Sequence, residues 1–148
     1  MIRQLLYRSG QLYEFTTADM IRLLLESRSR NARRGISGML LMRDGLFMQL
    51  LEGPAPDVDA LFARISVDPR HCEVQLVTRT ERDTPLLSHW RMAWAEAPVD
   101  AAGPAFSGLD TDARALEVLE AAGREPIALT MRAFLRGDRP PASLRHLQ

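Results

Sequence analysis

The chain contains no lysine: all 19 of its basic residues are arginine. A Schiff base to retinal or pyridoxal phosphate needs a lysine amine, so neither is attached within this sequence. A P-loop is excluded for the same reason, because its phosphate contacts use a lysine. Cysteine is nearly as scarce. A single Cys72 rules out an internal disulfide and any cysteine-rich metal site, and a reducing, cytoplasmic setting is the expectation. No apolar run approaches the ~20 residues needed to span a bilayer. Met1 to Tyr7 reads as a strand and lacks the apolar core and cleavage site of a secretory leader. Nineteen acids balance the nineteen arginines, so no broad field draws in nucleic acid or anionic lipid. Three scattered histidines do not make a metal site.

What is present is 148 residues, 46% hydrophobic and 26% charged, the make-up of one globular domain with a short appendage. Ile2 to Arg8 reads as a strand closed by Ser9-Gly10. Thr16-Thr17-Ala18-Asp19 looks like a helix start, a hydroxyl cap with an acid in the first turn. Met20, Leu23 and Leu24 continue it at helical spacing, and the expected end is near Arg30. A basic polar stretch then runs from Ser29 to Arg34. Ile36 to Met42 and Leu46 to Glu52 flank Arg43-Asp44-Gly45, a hairpin in which glycine supplies the positive φ. Pro54-Ala55-Pro56-Asp57 opens a second helix, with Val58, Leu61, Phe62 and Ile65 at i, i+3, i+4 and i+7. Asp68-Pro69 stops it. Strands are expected over Glu73 to Arg79 and Trp90 to Ala95, joined by a polar connection from Thr80 to Ser88.

The order β-α-β-β-α-β-β predicts an α+β, ferredoxin-like sheet with both helices on one face. Asp112 to Ala122 and Pro126 to Arg136 read as helices that cover the other face, the second with Gly137 as its stop. Arg139-Pro140-Pro141 begins a loose tail. The expected division is a sheet domain over 1–96 and a helical extension with a flexible tail over 97–148.

One residue resists a bland explanation. With a period of two, Phe47, Gln49 and Leu51 share one face of their strand, while Leu46, Met48 and Leu50 take the other. Gln49 is therefore expected to be buried among apolar neighbours. Each unpaired donor or acceptor of its carboxamide would cost roughly 1–3 kcal/mol, so something polar must meet it. Tyr7, on the first strand, can hydrogen-bond a glutamine. Asn31, expected just past the first helix, offers a donor and an acceptor side by side, suited to an imide edge. Taken singly, a strand tyrosine also fits simple packing and an asparagine near a helix end fits capping.

Together with its neighbours, this constellation resembles a known family. Leu6-Tyr7-Arg8-Ser9, Arg30-Asn31 ahead of Gly35-Ile36-Ser37-Gly38, Phe47-Met48-Gln49-Leu50-Leu51-Glu52-Gly53, Asp68-Pro69-Arg70-His71 and Trp90-Arg91-Met92 look, in order and spacing, like a BLUF domain, a blue-light sensor using FAD. The similarity covers about residues 1–96. It implies the ferredoxin-like fold and a flavin lying between the two helices. It further implies that Asn31 binds the pyrimidine edge and that Gln49 meets both the flavin and Tyr7. Asp68, Arg70 and His71 would line the cofactor, with Arg64 helping from the second helix, and Trp90 and Met92 would approach the glutamine from the last strand. On this resemblance Tyr7, Gln49, Trp90 and Met92 form a photochemical switch, and the chain is not an enzyme. Arg91 departs from the small polar residue common there; alternation turns it away from the Trp90/Met92 face, so Arg91→Ser is expected to leave the spectrum intact.

No effector domain fits in the remaining ~50 residues, so the output is expected to pass to an unidentified downstream protein or through a homo-oligomer. Two other readings compete with this one. An acylphosphatase-like hydrolase needs a glycine-rich phosphate loop after strand one, which Arg8-Ser9-Gly10-Gln11-Leu12 matches poorly. A nucleotide- or RNA-binding module on the same sheet needs exposed aromatics on the central strands. Only Tyr7 and Phe47 are offered, although Arg28, Arg30, Arg33 and Arg34 would supply charge.

Overall fold

The computed structural model describes residues 1–11, 17–69, 71–87, 93–96 and 121–137. Among these the elements are β1 (Ile2–Gln11), α1 (Thr17–Arg34), β2 (Ser37–Arg43), β3 (Leu46–Gly53), α2 (Ala55–Ser66), β4 (His71–Arg82), β5 (Ala93–Glu96) and α3 (Pro126–Arg136). The strands form one sheet in the order β4-β1-β3-β2-β5. Neighbours are antiparallel except β2 and β5, which run parallel. This is the ferredoxin-like α+β arrangement the element order predicts, extended by one strand.

The local reasons follow from particular residues. Asp44 and Gly45 both have positive φ, 49° and 78°, the two-residue turn whose twist matches flanking antiparallel strands. Helix α2 opens on proline with Asp57 in its first turn and Arg64 in its last, each charge opposing the helix dipole. Helix α1 continues past Arg30 to Arg34, a correction to the sequence expectation. Arginine is a good helix former, and basic charge in a last turn is favourable. Gly35, at φ 68°, then stops the helix in the left-handed conformation, with the Ile36 N–H donating back to the Asn31 carbonyl at 3.0 Å. Strand β4 is longer than expected at both ends, because β1 pairs along it from Ile2 opposite Arg82 to Gln11 opposite His71. Thr80 to Arg82 therefore belong to the strand rather than to the connection.

Alternation divides the core into two layers. Leu5, Tyr7, Leu40, Phe47 and Leu51 face α2, packing on its buried Val58 and Leu61. Leu6, Met39, Leu41, Met48 and Leu50 face the other way. There α3 covers them with Ile127, Ala128, Met131, Phe134 and Leu135. Each such side chain contributes about 1.5–3 kcal/mol when fully withdrawn from water. The Arg43 guanidinium donates to the Leu135 carbonyl at 2.7 Å, tying the β2–β3 hairpin to the end of α3. Gly137 at φ 83° caps that helix, as its position after Arg136 predicts. The cap expected at Thr16, most of the helix expected over 112–122 and the tail from Arg139 lie outside the described residues.

Candidate functional site

The β1–β3 ladder places Tyr7 directly opposite Gln49. The adjoining β2–β3 ladder sets Leu40 on the other side of the same glutamine. Gln49 is 7% exposed and Tyr7 is 4% exposed. The burial predicted for the glutamine holds, and its polar partner is the tyrosine: the Tyr7 hydroxyl donates to Gln49 Oε1. The phenol's pKa is pushed up, first by burial and then by the negative charge of Asp68. Both effects disfavour a phenolate. Tyr7 is thus a neutral donor aimed at a carboxamide oxygen.

These two residues lie in a cleft of about 200 Å³ between α1, α2 and the sheet. Its apolar surface comes from Leu23, Leu40, Phe47, Leu61 and Ile65, and its polar lining includes Asn31, Asp68 and His71. Asn31 sits in the last turn of α1 and is 1% exposed, inside the helix rather than beyond it. Arg64, from the last turn of α2, lines the same cleft. Tyr7, Asn31, Gln49, Arg64, Asp68 and His71, distant in sequence, are therefore brought together. Arg70, Trp90, Arg91 and Met92 lie outside the described residues.

His71 has a fixed orientation. A carbonyl can only accept, so Nε2–H donates to the Ile65 carbonyl, at 2.6 Å. In the neutral ring Nδ1 then accepts from the Ser9 hydroxyl, at 2.8 Å. The ring meets Tyr7 edge-on, with centroids 6.3 Å apart, and Phe62 packs on the tyrosine at 5.4 Å. His71 thereby joins β1 to the end of α2 beside the tyrosine.

Two lining or supporting residues, Ser9 and Ser27, were not singled out from sequence. Ser9 follows Tyr7 by two, the strand period, and so shares its face. Ser27 precedes Asn31 by four, one helical turn. Arg30 adjoins Asn31, and with Arg64 it belongs both to the cleft and to an outer basin that Arg33 and Arg34 also line. A slot with apolar walls, buried carboxamides and a cationic mouth suits a flat heterocycle with an amide or imide edge and an anionic tail. It does not suit base stacking on an open sheet, since Tyr7 and Phe47 are 4% and 5% exposed. Among the described residues no cluster of His, Cys, Asp and Glu is arranged to hold a metal, and no helix is long and apolar enough to cross a membrane.

Comparison with known proteins identifies the family. Residues 2–93 match the family BLUF, sensors of blue-light using FAD. A photoactivated adenylate cyclase subunit beta from Euglena gracilis is 40% identical over 73 residues, which cover 49% of this chain and 8% of the cyclase subunit. The chain thus spans a small fraction of that relative's length. Among solved structures, the dark state of BlrB, a BLUF protein, superposes with a TM-score of 0.67 at 31% identity, covering 92% of this chain and 96% of that one. Klebsiella pneumoniae BlrP1, solved as a manganese/cy-diGMP complex, gives a TM-score of 0.72 at 25% identity, covering 91% of this chain and 33% of that one.

Proposed function

Because this chain belongs to the BLUF family, sensors of blue light using FAD, we propose that it is a blue-light photoreceptor holding FAD non-covalently in the cleft between α1 and α2. The hydrogen bond from Tyr7 to Gln49 Oε1, buried in that cleft beside Asn31, carries this reading. When bound, the flavin supplies an oxidant that exists only after blue light is absorbed. Every further step belongs to the protein. Asn31 would hold the pyrimidine edge, and Arg30 and Arg64, which line the same cleft, would meet the anionic tail. Arg33 and Arg34, in the outer basin, favour a tail that carries a diphosphate, and hence FAD over FMN.

Tyr7 is the electron donor. Its raised pKa keeps the proton on the oxygen in the dark, so the proton leaves only when the ring is oxidised. The path is already formed, from the phenol oxygen to Gln49 Oε1. Once Tyr7 has regained its electron and proton, the Gln49 carboxamide would rest in a different orientation or tautomer, with its hydrogen bond to Tyr7 exchanged. No bond to the protein is made or broken, so no cysteine takes part. A buried hydrogen bond is worth about 1 kcal/mol net, and an orphaned group costs more. The rearrangement therefore has enough free energy to shift a conformational population.

In this account residues 1–96 form the sensor and 97–148 its extension, and the signal passes to a separate protein or through a homo-oligomer. The BLUF unit is a sensor module and not itself an enzyme. The test is to illuminate Tyr7→Phe and Gln49→Leu proteins loaded with FAD. Both are expected to bind flavin and to lose the reversible red shift; a full shift in either variant removes that residue from the switch.

A further inference from the structure

Glu52 is 1% exposed and the photochemical site has no use for it. It lies on β3 three residues beyond Gln49, so alternation puts it on the opposite face of the sheet. A carboxylate there has to be fully compensated, and three N–H donors do so. Gln4 Nε2 donates to Oε2 at 2.5 Å, the Leu86 N–H to Oε2 at 2.8 Å and the Leu87 N–H to Oε1 at 2.6 Å. Gln4, itself 2% exposed, accepts from the Thr80 hydroxyl at 3.3 Å. Glu52 thus fastens β3 to β1 and to two consecutive amides of the β4–β5 connection, and Gln4 extends the link to β4. Leu87 is 1% exposed and packs in the same layer as Met48, Leu50 and the α3 residues.

The placement matters because Tyr7–Gln49 and Gln4–Glu52 are both directly opposed pairs of the single β1–β3 ladder. They stand three rungs apart, about 10 Å along the strands. A change of bonding between Tyr7 and Gln49 acts on the same two strands that Gln4 and Glu52 bridge. Charge-assisted bonds are short and directional, so a small shift loosens them, while the apolar contacts around them tolerate it.

We propose that Glu52 is a positioning residue that couples the β1–β3 ladder carrying Tyr7 and Gln49 to the β4–β5 connection, and through Leu87 to the layer covered by α3. The inference rests on the photoreceptor reading above. In the dark the carboxylate holds the Leu86 and Leu87 amides; in the light the hold weakens, and its re-formation helps drive the return.

The experiment is residue-resolved amide hydrogen exchange on the FAD-loaded full chain, in darkness and under sustained blue light, with the absorption spectrum recorded on the same sample. Exchange at Leu86 and Leu87 is expected to rise about tenfold in the light, the factor that about 1.4 kcal/mol carries, while Leu6 and Leu50 keep their protection. A red shift with unchanged protection at Leu86 and Leu87 overturns the coupling and leaves the photoreceptor reading standing. A sample with no red shift overturns both. Glu52→Gln tests the same point by mutation, since its amide group turns donors toward donors. It is expected to keep flavin and red shift, lose the light–dark difference in exchange at Leu86 and Leu87, and recover about tenfold more slowly. Recovery at the wild-type rate, or a retained exchange difference, contradicts the proposal. If that variant does not fold, the wild-type exchange measurement decides alone.

Discussion

Removing either member of the Tyr7–Gln49 pair alone should cost more than removing both. Tyr7→Phe deletes the hydroxyl that donates to Gln49 Oε1 and leaves a buried carboxamide oxygen short of a donor. Gln49→Met, a side chain of similar length, leaves the phenol O–H without its acceptor. Each orphaned group costs about 1–3 kcal/mol. The double variant removes both polar groups and should be nearly neutral, so the cycle yields a coupling equal to the two single costs together, about 2–6 kcal/mol in favour of the pair. For a chain of 148 residues, 1 kcal/mol moves Tm by about 2–4 °C. A single substitution costing about 2 kcal/mol then lowers Tm by about 4–8 °C, and the double variant falls well short of the sum. The assay is thermal or urea unfolding in darkness at one fixed, saturating flavin concentration, since bound ligand raises apparent stability. Strictly additive costs would refute a direct bond between the two side chains, and with it the proton path from tyrosine to glutamine.

Three other outcomes follow from the same geometry. The folded state holds the Tyr7 proton above its ordinary pKa of 10.0, so the stabilisation is fully present below pH 10 and declines as pH rises beyond it. Unfolding curves should show a loss of up to about 1.4 kcal/mol per pH unit there that Tyr7→Phe abolishes; equal slopes in both proteins would contradict the burial of the phenol. Gly53→Ala would place a Cβ 2.9 Å from the Gly35 carbonyl oxygen and 3.3 Å from Ile36. Because part of that obstacle is backbone, a loss of about 1–3 kcal/mol is expected by denaturant unfolding, and a neutral result would mean that the end of α1 yields. Asn31→Ala should weaken flavin binding about tenfold, one hydrogen-bonded edge, in a fluorescence titration; unchanged affinity would remove Asn31 from the cofactor contact.

Periodicity made most of this fold legible. A period of two separated Phe47, Gln49 and Leu51 from Met48 and Leu50, and the structure puts those sets in different layers. Helical spacing found α2 and α3, and Asp-Gly located the hairpin. Two boundaries were missed because tertiary context outweighs local punctuation. Polar, basic Ser29 to Arg34 reads as a loop until its arginines are seen as favourable charge at a helix C-terminus. Thr80 to Arg82 read as a connection until β1 supplies ten residues to pair with.

The site was legible as a set of residue types and illegible as a network. Sequence singled out Tyr7, Asn31 and Gln49, and it placed Asp68 and His71 at the exit of α2. It gave no sign that Ser9 fixes the His71 ring or that Glu52 gathers three donors from distant segments. Those partners are set by register between strands far apart in the chain, which no local pattern encodes.

The central claim is tested most directly by the absorption spectrum of the purified, FAD-loaded protein, taken in darkness and again immediately after blue light. The account predicts an oxidised flavin spectrum that moves slightly to the red and returns in the dark. A flavin that bleaches, a spectrum that does not move, or a protein that cannot be loaded with FAD would contradict it.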